Sequence, residues 1–228
     1  MTLLDLQKTL ARLGCYTGNL DGIGGPKTRA AILQALTMGP DTALTAADVN
    51  RAATRLKVSV AHIWTVWDVE SSGSPFIDGR PTILFEPHIF SKLTGGRYDK
   101  RHPHLSSRSW NPKLYPGSQK GRYDQLTEAA CLDVDAAFAS ASYGAFQVLG
   151  NNWKALGYAS SWDFAYRQSN TVGEHLDAFA RFVEVNKLDD ELRACNWAAF
   201  ARGYNGTAFA KNKYDVRLAQ RYAIRSRR

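Results

Sequence analysis

Leu3, Leu6, Leu10 and Leu13 recur at helical spacing and the run stops at Gly14, which predicts a short first helix closed by a C-terminal glycine. Pro26 after Gly25 predicts the start of a second helix, with Ile32, Leu33 and Leu36 as its apolar stripe, because proline is pre-organised for a first helical turn. Between them, Tyr16 to Gly25 is a run of turn formers, and Met38-Gly-Pro-Asp41 is the predicted boundary. Beyond it, Thr45 with Asp48 makes a capping-box pattern for a helix to about Leu56. Ser59 can cap the next helix, VAHIWTVWDVE, which stops at Ser71-Ser72-Gly73. Thr82 to Phe85 is a short apolar run suited to a strand. Residues 94–122 are polar, with Gly, Pro, His and Arg, and predict a long irregular loop of the kind that is usually functional or partly disordered. Helical patterns then resume, with Val172, Leu176, Phe179 and Val183 on one face, and there is no internal repeat.

The expected fold is therefore mainly α with a small β excursion, in two parts: a helical module over residues 1–40 and a larger domain over 44–228. About 40 residues is the lower limit for independent folding, so the module is expected to pack on the rest. The composition, 44% hydrophobic and 22% charged, is that of a soluble globular chain, and no apolar stretch reaches the ~20 residues of a membrane helix. Met1 to Leu10 carries Asp5 and Lys8 and lacks the layout of a secretory signal, which points to a cytoplasmic start. Cys15, Cys131 and Cys195 are an odd number without a CxxC pair, consistent with free thiols. The net charge of +8 is concentrated at the end: residues 211–228 hold seven Lys/Arg against one acid. That argues against an extended nucleic-acid surface and for a local tether to an anionic partner.

Candidate chemistry centres on Glu70. At 100° per residue Ile63, Trp67 and Glu70 fall on one helix face, while Asp68 points elsewhere. A carboxyl on the apolar side, at a helix C-terminus, is disfavoured as an anion by desolvation and by the macrodipole. Its pKa rises, as a general acid requires. A helix-end glutamate turned to solvent fits the same helix. Glu86, after the predicted strand, is either a second carboxylate flanking a scissile bond or a structural partner of Arg80, Arg97 or His88. Asp78-Gly79-Arg80-Pro81 reads first as a turn. His102-Pro-His104 lacks the helical spacing of a zinc hydrolase and has no cysteine near it, so no metal or cofactor is expected. Trp110, Trp153, Trp162 and Tyr158 are either sugar platforms or core.

Two further blocks, Ser142-Tyr-Gly144-Ala-Phe-Gln147 and Gly203-Tyr204-Asn205-Gly206, follow Glu70-Ser71 in an order that resembles goose-type lysozymes and soluble lytic transglycosylases. The closer resemblance is to the N-acetylmuramidase domain of phage endolysins, over roughly residues 44–224, carried by VESSGSPF at 69–76, ILFEPHIFSKLTGGRYD at 83–99 and ASYGAFQVLG at 141–150. The first block, LLDLQKTLARLGCYTGNLDGIGGPKTRAAILQAL, is similar to the small helical peptidoglycan-binding domain of cell-wall hydrolases. The resemblance implies a lysozyme-like fold and cleavage of the β-1,4 bond from N-acetylmuramic acid to N-acetylglucosamine. Glu70 would be the proton donor, with Ser142, Gly144 and Gln147 in the sugar site and Tyr204 and Asn205 bracing the acid or holding an acetamido group. Water is the implied acceptor; attack by the muramic acid C6 hydroxyl, or a pure wall-binding role, are the alternatives. Such a monomeric enzyme would wait in the host cytoplasm until a holin opened the inner membrane, then act in the periplasm. The basic C-terminus, with Arg217, Arg221 and Arg225 every four residues, could contact an anionic outer-membrane or wall surface.

Overall fold

The structure is a computed structural model that describes residues 1–71 and 73–227; Ser72 of the VESSGSPF block and Arg228 of the basic C-terminus lie outside the described residues, as do the side chains of Thr207 and Ala208. The chain opens with α1 (Leu3–Arg12), started by a capping box in which Thr2 and Asp5 satisfy each other's backbone N–H groups, and α2 (Pro26–Ala35), started by Pro26. A buried glutamine ties the turn between them: Gln7 Nε2 donates to the Ile23 carbonyl at 3.0 Å and its Oε1 accepts from the Gly22 N–H at 2.8 Å. The second Thr–Asp capping box, Thr45 with Asp48, starts α3 (Ala46–Leu56), and α4 (Val60–Glu70) follows from Ser59.

The β excursion begins with the two-residue strands β1 (Phe76–Ile77) and β2 (Arg80–Pro81), joined through Asp78 and Gly79 with φ of 53° and 71°. Two positive φ values in a two-residue hairpin loop are the signature of a type I′ turn, which the Asp-Gly pair predicts. Strand β3 (Ile83–Phe85) leads through Glu86 into α5 (Pro87–Leu93), a short helix not expected from the sequence pattern. An irregular stretch with a single 3-10 turn at Pro112–Leu114 reaches α6 (Gln119–Leu132) and α7 (Val134–Ala139). Strands β4 (Ala141–Tyr143) and β5 (Val148–Leu149) complete an antiparallel sheet of order β3-β4-β5, with Ile83 opposite Tyr143 and Phe85 opposite Ala141. Then come α8 (Ser161–Gln168), α9 (Val172–Val185), α10 (Asp189–Arg193), α11 (Trp197–Asn205) and α12 (Tyr214–Arg225).

One contiguous core, from Leu6 and Ile32 through Phe138, Phe164 and Phe179 to Leu218, joins the α-helices and the three-stranded sheet. Trp162 and Tyr158 are in it, at 4% and 7% exposure, whereas Trp110 is 63% exposed. The N-terminal helices dock on α6: Arg29 donates from Nε to Thr127 Oγ1 and from Nη2 to the Asp124 carbonyl, both at 3.3 Å. Among the described residues no helix is long and apolar enough to cross a membrane.

Candidate active site

The last turn of α4 is shaped by the residue after Glu70. Both the N–H and the hydroxyl of Ser71 donate to the Trp67 carbonyl, at 2.9 and 2.5 Å, and Ser71 leaves helical geometry at ψ 50°. The helix therefore ends at Glu70. A further free carbonyl of that turn, Val69 O, accepts from Arg217 Nη2 on α12 at 3.0 Å. A cation there also suits the negative end of the α4 dipole. Burial raises the pKa of Glu70 above its ordinary 4.5; the hydrogen bond from Asn205 and the charge of Arg217 pull the other way without cancelling the rise.

Asn205 is the last residue of α11, and its Nδ2 donates to Glu70 Oε1 at 3.2 Å. Gly206 follows with φ 74° and ψ −171°, a region open essentially to glycine alone, which ends α11 at that asparagine. One residue earlier, Tyr204 stacks on Phe200 and meets Phe179 and Phe182 edge-on, and its hydroxyl donates to the Phe146 carbonyl at 2.7 Å. The Tyr204-Asn205 pair thus links two parts of the site: Asn205 holds the acid and Tyr204 holds the hairpin tip.

That tip is the four-residue loop Gly144 to Gln147 between β4 and β5. Phe146 stacks on Phe179 at 4.7 Å and meets Trp67 of α4 edge-on at 5.8 Å. Gly144, at φ 69°, lies against the ring of His175, where a Cβ would come within 2.6 Å of the imidazole. His175 is fully buried: its Nδ1 accepts from the Ala145 N–H at 3.1 Å, and its Nε2 donates to the Gln168 carbonyl at 2.7 Å. Burial lowers its pKa from 6.5 to about 4, so the ring is neutral.

These elements enclose a cleft of about 450 Å³ lined by Glu70, Gln147, Asn152, Phe182, Tyr204, Asn205 and Tyr214, together with Phe146, Val148 and Leu149. Glu70 is the only carboxylate among those lining residues. Of the sequence-predicted residues, the structure brings Glu70, Gln147, Tyr204 and Asn205 together here. Ser142 is on β4, paired with Leu84 and Leu149, and Gly144 is under the hairpin against His175; neither lines the cleft. Gln147 Nε2 is engaged with the carbonyls of Gly144 and Thr82, at 2.8 and 3.1 Å.

Glu86 is elsewhere. Gly144 N–H bonds to Thr82 O at the cleft end of the β3-β4 ladder, whereas Glu86 N–H bonds to Ser140 O at the opposite end. Four residues of strand separate the two ends by about 13 Å. There the Glu86 carboxylate accepts from the Tyr115 hydroxyl and lies 3.4 Å from His88 Nδ1. Of the three partners expected for it, His88 is the one within reach, and Tyr115 is an additional one. Part of the basic C-terminal helix expected to contact an anionic surface is turned inward: besides Arg217, Arg225 forms a two-pronged pair with Asp68, at 2.8 and 2.7 Å, so that two of the three regularly spaced arginines reach α4. Sequence reasoning missed Tyr214, Arg217 and His175 as parts of the site. The first two sit in a run that reads as simple basicity, and for His175 the only signal was a histidine on the apolar face of α9.

A family model described as N-acetylmuramidase matches residues 59–226. The crystal structure of a Burkholderia AP3 phage endolysin superposes at a TM-score of 0.76 and 35% sequence identity, covering 99% of this chain and 94% of that one. A search of curated proteins finds no match. The family match over most of the chain, with the likeness to that structure along nearly its whole length, places the protein in the N-acetylmuramidase family of peptidoglycan-cleaving glycoside hydrolases.

Proposed function

We propose that Glu70 is the general acid with which this muramidase cleaves the β-1,4 bond from N-acetylmuramic acid to N-acetylglucosamine, and that the protein serves as a phage-type endolysin. One observation carries the reading: Glu70 is the single carboxylate among the lining residues of an otherwise aromatic and amide-lined cleft, and burial favours its protonated form. The Asn205 amide donates to Oε1, so Oε1 acts as the acceptor oxygen and the acidic proton resides on Oε2. Proton transfer to the glycosidic oxygen from a positioned acid contributes about 10²–10⁴-fold. Once it has given up that proton, Glu70 is also the base nearest to a water entering the cleft. Phe182 and Tyr214 offer apolar faces for sugar rings, and Gln147 and Asn152 offer polar edges. Glu86, bonded to Tyr115 and His88, acts as a brace for α5 rather than as a second catalytic carboxylate.

The N-terminal module supplies wall binding. Its hollow of about 500 Å³, lined by Tyr16, Thr17, Asn19, Asp21, Ile23 and Lys27 among others, faces solvent beside the Gln7-tied turn. Contact with an anionic wall or outer-membrane surface rests on Lys211, Lys213, Arg221 and Arg227, since Arg217 and Arg225 are engaged by α4. As a monomeric endolysin, the protein would accumulate in the host cytoplasm and reach the wall after a holin opens the inner membrane.

Digestion of purified sacculi, followed by mass analysis of the glycan ends, tests the reaction. Hydrolysis as proposed leaves reducing N-acetylmuramic acid. Anhydro-muramic ends would assign attack to the C6 hydroxyl, and reducing N-acetylglucosamine would assign the other bond.

A further inference from the structure

His102 and His104 flank Pro103 in the irregular segment between α5 and α6, and the fold adds a third group that is distant in sequence: Glu128, on α6. His104 Nε2 lies 2.9 Å from Glu128 Oε1, and His102 Nδ1 lies 3.7 Å from the same oxygen. All three donor atoms fall within 4.8 Å of one another. We propose that His102, His104 and Glu128 form a binding site for a zinc-class divalent transition metal that clamps the segment between α5 and α6 onto α6.

The donor set fits such an ion. Two imidazole nitrogens and one carboxylate oxygen suit Zn²⁺ and its neighbours, and poorly suit Mg²⁺ or Ca²⁺, which take oxygen ligands. A tetrahedral ion with bonds of about 2.0–2.2 Å spaces its ligands about 3.4 Å apart, so small side-chain rotations bring all three into place and leave a fourth position for water. The backbone around them is already held. Gln125, one turn before Glu128 on the same helix, donates to the carbonyls of His104 and Leu114 at 2.9 and 2.8 Å. Leu105 is fully buried, and the Tyr98 hydroxyl donates to the Leu132 carbonyl at 2.9 Å. The two histidines thus stand on a fixed part of the loop, facing a rigid helix, and at 29% and 54% side-chain exposure they are open to ions from solution.

None of the three residues lines the Glu70 cleft. Glu128 instead adjoins Thr127, where Arg29 anchors the N-terminal helices. The ion's role is therefore structural: it would tie the loop to the helix that carries both the sheet and the N-terminal module, and take no part in glycoside cleavage.

The test uses the untagged full chain, stripped with a chelator and titrated with ZnCl₂ alone by calorimetry and thermal melting. One ion should bind per chain, and at a hundredfold excess over Kd the Tm should rise by about 5–10 °C, whereas MgCl₂ should leave it unchanged. His104→Ala and Glu128→Gln, each of which removes one ligand at a solvent-accessible position, should weaken zinc binding at least tenfold. Their metal-free Tm provides the check that they fold. Cys195→Ser, a control for the thiol that lies 3.4 Å from His62 Nε2, should bind zinc as the wild type does. Absence of saturable binding, equal stabilisation by MgCl₂, or zinc affinity lost in Cys195→Ser but kept in the histidine and glutamate variants would each overturn the proposal.

Discussion

The side-chain amide of Asn205 donates to Oε1 of Glu70 at 3.2 Å, joining the last residue of α11 to the last residue of α4. This bond favours the ionised carboxyl and works against the burial that raises the pKa of Glu70. Asn205→Ala should therefore raise that pKa further, moving the alkaline limb of kcat/KM on soluble glycan to higher pH. At the optimum the rate should fall by about tenfold, because the acid is no longer oriented. Arg217→Gln should shift the limb in the same direction, since the arginine's charge also favours the anion. A pH–rate profile checks both; a limb moving toward acid in either variant would contradict the assignment.

His175 makes stability depend on pH in the acid range. Burial lowers its folded pKa from 6.5 to about 4, so the unfolded chain takes up a proton at a pH where the folded one does not. Stability fully present above pH 6.5 is lost as the pH falls toward 4, by about 3 kcal/mol. His175→Gln should lower Tm at pH 7, because the ring is a fully buried part of the hairpin support, yet flatten the slope between pH 6.5 and 4. Urea titrations across that range measure it. An unchanged slope in the variant would assign the acid sensitivity to other groups.

Most of the helical scaffold was legible in the sequence because its start and stop signals are local. The expected Thr45-Asp48 capping box forms, Thr2-Asp5 makes another by the same local rule, and the turn expected at Asp78-Gly79 is that of a hairpin. Helix α4 was legible for a similar reason, since Glu70 shares a face with Ile63 and Trp67 and Ser71 terminates it. Long-range pairings were not legible. No local rule places Arg217 on the Val69 carbonyl or Arg225 on Asp68, so the C-terminal run read as net charge rather than as two fixed contacts. Glu86 was ambiguous because its role depends on strand direction: antiparallel pairing puts it at the Ser140 end of the ladder, away from the cleft. Glu128 is 24 residues from His104, beyond any motif spacing.

The Arg225–Asp68 pair should contribute to stability rather than to wall binding. Both side chains are mostly shielded, at 28% and 18% exposure, and the contact is two-pronged. Arg225→Gln should cost about 1–3 kcal/mol, or roughly 2–12 °C in Tm at this chain length. A double-mutant cycle with Asp68→Asn isolates the pair. Arg221→Gln with Arg227→Gln, by contrast, should leave Tm unchanged and weaken the salt-sensitive part of sacculus binding. If Arg225→Gln melts like wild type, the helix is held by Leu218, Tyr222 and the Arg217 bond to the Val69 carbonyl without this pair.

Deleting residues 1–40 would uncover the face of α6 that Arg29 covers, and would therefore confound binding with stability. Substitution in the exposed hollow avoids this. Thr17→Arg with Ile23→Arg should lower affinity for purified sacculi by about tenfold or more while leaving Tm and cleavage of short soluble glycans unchanged, because the role proposed for the module is to raise local concentration. Equal losses in binding and soluble cleavage would make these helices part of the catalytic unit.

Glu70, half-buried in the cleft, is the proposed proton donor. Its raised pKa has a stability consequence as well: the folded state is not penalised while Glu70 is protonated, and loses stability as the pH rises above the ordinary 4.5 and through the folded value. Glu70→Gln removes the ionisable group with little change in shape, so at pH 7 it should melt at or above the wild-type temperature, with the difference shrinking toward pH 4. The decisive measurement is the release of reducing ends from purified sacculi by this folded variant. Loss of the acid should lower release at least a hundredfold, the lower bound for general acid catalysis of about 10²–10⁴; a folded Glu70→Gln protein that keeps more than a tenth of wild-type release would rule Glu70 out as the proton donor.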